Sequence, residues 1–310
     1  MSYCSRQVTD EVSVDRQDSH DESDRVSNYA NNAPIGIFDS GIGGLSVYRH
    51  LAEQLPAEHY IYYADTLHVP YGNRTSQDIE HLTLQALEWL YQRGCKLIVI
   101  ACNSASAYAL TIARLRYPQI TVVGLVPALK PAVLNSQSHH VAVLATKATL
   151  EGPLLNQVID DIAHPNATRV TKHFDPDLVP WVEAGMPNES MTATRLRRQL
   201  KQFADDNVDY LVLGCTHYPF FKHFLLTEIN EQQLALKIVD SGEAIATRVK
   251  HLLVDKNLLA SAGEAASSNT NSNNDKRTNP LTFYASKYDD QLVWLVERLI
   301  GESTAIQYLV

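Results

Sequence analysis

The sequence predicts an α/β protein of two pseudo-symmetric α/β lobes with largely parallel sheets and the active site in the cleft between them. Three observations carry that prediction. Short aliphatic runs alternate along the chain with longer amphipathic ones, the pattern of repeated β–α units. Two stretches, LIVIACNSAS (97–106) and YLVLGCTHYP (210–219), repeat one design: an aliphatic strand, a small residue, a cysteine, then hydrogen-bonding residues. Asp-Ser-Gly also closes an apolar run twice, at 39–41 and 240–242.

Taken in order, residues 1–33 hold seven acids against three bases and no helical or strand periodicity, so they read as a disordered acidic leader. The runs at 35–38, 60–64, 96–101, 121–126, 140–145, 210–214 and 236–240 read as strands buried on both faces, which implies parallel pairing. Leu45, Tyr48, Leu51 and Leu55 share a helix face that Pro56 terminates. Thr75 to Asp78 resembles a capping box ahead of Ile79, Leu82, Leu87 and Leu90, with Gly94 at the far end. Residues 261–280, mainly Ser, Asn, Thr and Ala, read as a flexible surface insertion.

Composition narrows the function. The net charge is −9 and no Lys/Arg cluster is long enough to track a phosphate backbone, so nucleic acid is not expected as the main partner. The apolar runs fall short of the ~20 residues a membrane-spanning helix needs, and charge stands where a signal peptide would be apolar. Four cysteines, at 4, 95, 102 and 215, form no C-x-x-C pair, and no H-E-x-x-H accompanies them. No metal is expected, and reduced thiols in the cytoplasm fit best. Lys96, Lys130 and Lys147 lack the phosphate loop and pyridinium partner of a pyridoxal-phosphate site, so no cofactor is expected either.

In open parallel sheets ligands bind beyond the carboxyl ends of strands, where both repeated cysteines fall. Cys102 precedes Asn103 and Ser104 at a strand–helix junction, a setting expected to lower its pKa. Cys215 is followed by Thr216 and by His217, an imidazole close enough to help titrate it. Either cysteine alone reads equally as a buried structural thiol, and His217 as a satisfied core histidine; the paired context favours function. Asp39, Ser40 and Gly41 with Gly43 and Gly44 form a glycine-rich turn suited to a carboxylate or phosphate, or simply a tight turn. Ser46 replaces the third glycine of a dinucleotide fingerprint. Tyr71 and Gly72, within Pro-Tyr-Gly-Asn, read as a turn that can add a polar contact.

Together these segments resemble the glutamate racemases of the aspartate/glutamate racemase superfamily. The resemblance rests on IGIFDSGIGGLSV (35–47), YYADTLHVPYGNR (62–74), IVIACNSASA (98–107), VAVLATKAT (141–149), VPWVEAG (179–185), LVLGCTHYPF (211–220) and IVDSGEAIA (238–246). It implies Cys102 and Cys215 as catalytic thiols, assisted by Asp39 and His217 respectively. It implies substrate contacts at Asp39, Ser40, Tyr71, Gly72, Asn103, Ser104, Thr216 and His217. It implies a first lobe of 34–122 plus 237–310 and a second of 123–236. Ser104 stands for the more usual Thr and keeps the hydroxyl; Ala148 stands where many members have Gly. The leader, the insertion and the stretch from Phe283 to Gly301 lie outside what the resemblance informs.

The expected reaction is cofactor-independent interconversion of L- and D-glutamate, which would supply D-glutamate for peptidoglycan. Racemisation needs two groups of similar acidity on opposite faces of Cα, and two thiols meet that requirement. Aspartate racemisation, a cysteine hydrolase built on Cys215 and His217, and a non-catalytic amino-acid-binding protein of the same fold are the competing readings. The hydrolase would leave Cys102 without a role. Control by a cell-wall precursor and assembly as a homodimer are open to such a protein.

Overall fold

The computed structural model describes residues 31–260, 281–301 and 306–309, so the leader over 1–30 and the insertion over 261–280 lie outside the described residues. Every strand pairing is parallel. One sheet has the order β10-β9-β2-β1-β3-β4: β1 (Ile35–Asp39), β2 (Tyr60–Ala64), β3 (Leu97–Ile100), β4 (Thr121–Gly124), β9 (Leu281–Ala285) and β10 (Ile306–Leu309). The other has the order β6-β5-β7-β8: β5 (His140–Ala145), β6 (Arg169–His173), β7 (Tyr210–Gly214) and β8 (Lys237–Val239). The chain leaves the first sheet after Gly124 and returns after Val239.

Helices cover both faces of each sheet. Against the first lie α1 (Leu45–Gln54), α2 (Ser76–Gln92) and α3 (Asn103–Arg116). Against the second lie α4 (Leu129–Asn135), α5 (Lys147–Glu151), α6 (Pro153–Val158), α7 (Leu178–Glu183), α8 (Met191–Asp205) and α9 (Lys222–Glu231). The last two, α10 (Gly242–Asp255) and α11 (Asp290–Ile300), return to the first sheet, where Val249 and Val296 join Leu51 and Phe283 in one core. The opposite face of that sheet is closed by Ile79 and Leu90 of α2 and Leu110 of α3. No helix among the described residues is long and apolar enough to cross a membrane.

β1, β3, β5 and β7 are buried throughout, as continuous apolar runs require. β8 is half-exposed because it forms a sheet edge, which corrects the expectation that 236–240 is buried on both faces. The opposite edge, β6, escapes sequence patterning because Arg169 and Lys172 point to solvent. Only half of the predicted capping box forms. The Asp78 N–H donates to Thr75 Oγ1 at 3.2 Å, while the Asp78 carboxylate turns to Arg74 Nη1 at 2.6 Å. Gly94 then ends that region with φ +71°, a conformation glycine adopts without steric cost.

At the amino ends of the strands, Lys96 and Glu58 form a buried ion pair of 2.6 Å. Lys96 Nζ also donates to the carbonyls of Leu258, at 2.8 Å, and Asn31, and Glu58 Oε1 accepts the Ala260 N–H at 2.9 Å. Burial lowers the Lys96 pKa, against the opposing pull of Glu58. Lys96→Met, which strands the carboxylate, is expected to destabilise the fold by about 3 kcal/mol in urea titrations, with Glu58→Gln added to it recovering part of the loss.

Candidate active site

The strand ends place the chemistry. β3 delivers Cys102 to the N-cap of α3, where its Sγ accepts the Ala105 N–H at 3.5 Å and meets Ser40 Oγ at 3.5 Å. Its place at a strand–helix junction was expected to lower its pKa, and the structure corrects that. Burial pushes the Cys102 thiol up to about 12, the nearby Asp39 carboxylate adds to the rise, and Ser40 and Ala105 offset only part of it. Cys102 is therefore held as a thiol.

β1 delivers Asp39 to the glycine-rich turn. The Gly41 N–H donates to Asp39 Oδ2 at 3.0 Å, and the Gly44 N–H, at the start of α1, also supports this carboxylate. The N–H groups of Gly41 and Gly44 are thus taken by the chain's own Asp39 carboxyl, and within the turn it is Ser40 that faces the cavity. Burial raises the Asp39 pKa, opposed by His217 and by these hydrogen bonds. The turn also serves as a seat. A Cβ at Gly43 would collide with His217 Nδ1 and Thr216 Oγ1, so only glycine lets the Cys215–His217 loop lie against it. Ser46 Oγ lies 2.8 Å from the Thr216 carbonyl and 2.9 Å from that of Gly43, fastening loop to turn.

β7 delivers Cys215 to the same place from the other sheet. His217 Nδ1 stands 3.9 Å from Cys215 Sγ, and its Nε2 lies 3.3 Å from Glu183 Oε1 at the end of α7. Burial works against a charge on His217, but contact with Cys215 and Glu183 overrides it and raises the pKa to about 10. Thr216 Oγ1 donates to Asp39 Oδ1 at 3.4 Å, linking the two halves.

Cys102 and Cys215 open into one cavity with about 350 Å³ of empty space, lined also by Ser40, Tyr71, Gly72, Asn103, Ser104, Thr216 and His217. Asp39, the remaining residue expected at the site, lies buried behind this wall, bonded to it through Thr216. Asn103 Oδ1 is buried with no hydrogen-bond partner among the described residues, an acceptor left for a ligand. Tyr71 donates its hydroxyl proton to Asp65 Oδ2 at 2.7 Å, so toward a ligand its oxygen can only accept.

Several residues at the site carried no functional expectation. Thr146 and Thr149 face Ser104, with Ser104 Oγ to Thr146 Oγ1 at 2.8 Å and Thr146 Oγ1 to Thr149 Oγ1 at 3.0 Å. Asp65 gathers Tyr71, His68 Nδ1 at 2.8 Å and Ser286 Oγ at 2.8 Å. Glu183 lies in one of the matching segments but 34 positions from the histidine it contacts, so local spacing gives no hint of the pair. Among the described residues no cluster of His, Cys, Asp and Glu is arranged to hold a metal ion.

Comparison with known proteins places this geometry. A family profile described as Asp/Glu/hydantoin racemase matches residues 35–249. The glutamate racemase of Deinococcus radiodurans is 46% identical over 226 residues, 73% of this chain and 77% of that protein. The crystal structure of glutamate racemase from Francisella tularensis in complex with D-glutamate superposes with a TM-score of 0.73 at 27% identity, covering 90% of this chain and 98% of that one. That of Escherichia coli glutamate racemase with L-glutamate and the activator UDP-MurNAc-Ala gives 0.71 at 30% identity, covering 90% and 98%.

Gly43→Ala is expected to lift the Cys215 loop from its seat. Denaturant unfolding should record a loss of about 1–3 kcal/mol, and mass spectrometry after alkylation should show faster labelling of Cys215 with no change at Cys95.

Proposed function

The chain belongs to the Asp/Glu/hydantoin racemase family and racemises glutamate, and we propose that it does so with the thiols of Cys102 and Cys215, one on each face of the substrate. The observation that carries this reading is the meeting of the two thiols, from the carboxyl ends of β3 and β7 in separate sheets, at one small cavity. Their surroundings are unequal. Cys102 is kept protonated by burial and by Asp39, whereas Cys215 faces the imidazolium of His217.

In the resting state the Cys215 thiolate accepts the α-proton as the Cys102 thiol delivers its proton to the opposite face. The Cα–H bond and the Cys102 S–H bond break; a Cys215 S–H bond and a new Cα–H bond form. The negative charge thereby moves to Cys102, where Ser40 and the Ala105 N–H receive it. Catalysis of the other enantiomer starts from that state. Asn103, Ser104, Thr146, Thr149 and Thr216 offer the hydroxyl and amide donors for two carboxylates, and the Asn103 and Tyr71 oxygens suit the ammonium. Asp39 and Glu183 act through their neighbours. A hydrolase would use only one of the two thiols, and aspartate would use both, but the relatives named for glutamate favour glutamate. We place the reaction in the cytoplasm, as a source of D-glutamate for peptidoglycan.

Chiral chromatography of L- or D-glutamate incubated with the protein, without added cofactor, should show both approaching a racemate; no conversion would refute the reading. Cys102→Ala and Cys215→Ala should each lose about 10²–10⁴ in rate. In heavy water the product enantiomer should carry deuterium at Cα.

An effector site is also proposed. Arg114, Arg248 and Lys256 border a groove with about 960 Å³ of empty space, alongside Ile120, Val123 and Leu252 and with no acidic side chain among the described residues. Three cations beside apolar surface suit a phosphate-bearing cell-wall precursor of the kind bound to the Escherichia coli protein. UDP-MurNAc-Ala should raise the racemisation rate, and Arg248→Ala should increase the concentration needed for half-activation. A wild-type rate indifferent to the nucleotide would end this proposal.

A further inference from the structure

The segment after β9 lies beyond the part of the chain that the family profile matches, and among its described residues none lines the cavity between the thiols. Its helix α11 packs on the first sheet through Leu292, Leu295 and Val296, yet its outer face reaches the other lobe. Arg298 Nη2 donates to the Gly185 carbonyl at 3.1 Å. The same guanidinium carbon lies 5.2 Å from the centre of the Trp294 ring, and Trp294 stands 3.3 Å from where a Cβ on Gly185 would be. Gly185 has φ +82°, so glycine meets both the backbone conformation and the close approach.

Gly185 lies two positions beyond Glu183, the last residue of α7 and the partner of His217 Nε2. On its own side the turn is fixed by Met186 N–H to the Trp181 carbonyl at 2.9 Å and Trp181 Nε1 to the Pro187 carbonyl at 3.1 Å. The Glu183 side chain is less constrained. It is 34% exposed and borders a second cavity, with about 630 Å³ of empty space, whose far wall includes Lys287, Asp289 and Leu295. With open space beside the carboxylate, its aim at His217 depends on where the backbone of the turn is held.

We propose that Arg298 and Trp294 form a brace from the first lobe that fixes the end of α7 and so aims Glu183 at His217, making both positioning residues for proton transfer at Cys215. The proposal rests on the reading of His217 as the partner of Cys215. The groups that face His217 are Cys215 from its own loop, Glu183 from α7 and Asp39 from β1. Lys287, Asp289 and Arg298 carry the charge on the α11 side. When the brace is cut, Glu183 swings into the second cavity and His217 loses one of the two contacts that hold its proton.

The test compares full-length wild type with Arg298→Ala, Trp294→Ala and Arg298→Lys. Arg298 and Trp294 are exposed, so the substitutions leave the core of α11 intact. In the alanine variants kcat should fall about tenfold, less than the roughly 100-fold that a 1 Å displacement of a catalytic group costs, with KM little changed. The alkaline limb of the pH–rate profile should move to lower pH, because a less firmly held imidazolium deprotonates sooner. NMR titration of labelled histidine should show His217 shifting the same way, Arg298→Lys should recover part of each change, and Tm should stay at its wild-type value. An alkaline limb and a His217 titration that do not move would overturn the brace, whether or not kcat and Tm fall together. If the wild type fails to racemise glutamate, the functional reading fails, and the His217 titration still decides the brace.

Discussion

The seat that Gly43 offers to the Cys215–His217 loop is the contact on which the rest of the site depends. Among the described residues the two sheets share no strand pairing, so their relative position is set where loops and helices of one meet those of the other. At Gly43 the absence of a side chain lets Thr216 and His217 approach the β1–α1 turn to a distance no other residue would allow. Ser46 fastens the contact from beneath, and Thr216 reaches Asp39 across it. A turn with the composition of an anion cradle is therefore a joint. Its amide groups are turned inward onto Asp39, whose charge lies between the surroundings of the two thiols.

That placement makes two locally similar cysteines chemically different. Each ends a buried strand and precedes polar residues, yet Cys102 is paired with a carboxylate and Cys215 with an imidazolium. A reaction that must run equally well from either enantiomer does not need a symmetric resting state. It needs the two charge states that exchange during turnover to be close in energy. Burial disfavours a thiolate at Cys102, and the donors at Ser40 and Ala105 compensate in part. Under the proposed two-thiol mechanism, a charge on Cys215 beside His217 is exchanged for one on Cys102 that Ser40 and the Ala105 N–H support.

The repeated β–α pattern and the fully buried strands were legible because a parallel strand covered on both faces is apolar at every position, whatever lies beside it. β6 and β8 were harder, since an edge strand mixes exposed and buried positions and the lysines that protect it mask the pattern. Of the ten residues expected at the site, nine line the cavity, because strand ends in a parallel sheet all face one way, and Asp39 lies behind its wall. Glu183 and Thr149 were not singled out because each gains its place through a partner distant in sequence. The acidity of Cys102 was misread for a related reason. A helix N-terminus is a local feature, while the burial and the Asp39 charge that dominate it come from the folded whole.

The anchorage of Ala260 has a practical side. Its N–H is bound by Glu58 just ahead of β2, and Leu281 opens β9, so both residues lie at the amino ends of the strands. The cleft opens at the carboxyl ends, a full strand length away. A fluorophore, affinity tag or surface tether attached at the exposed Leu259, beside this anchor, would therefore be carried on the face remote from the substrate entrance. Immobilised through it, the protein would present its cleft to solution.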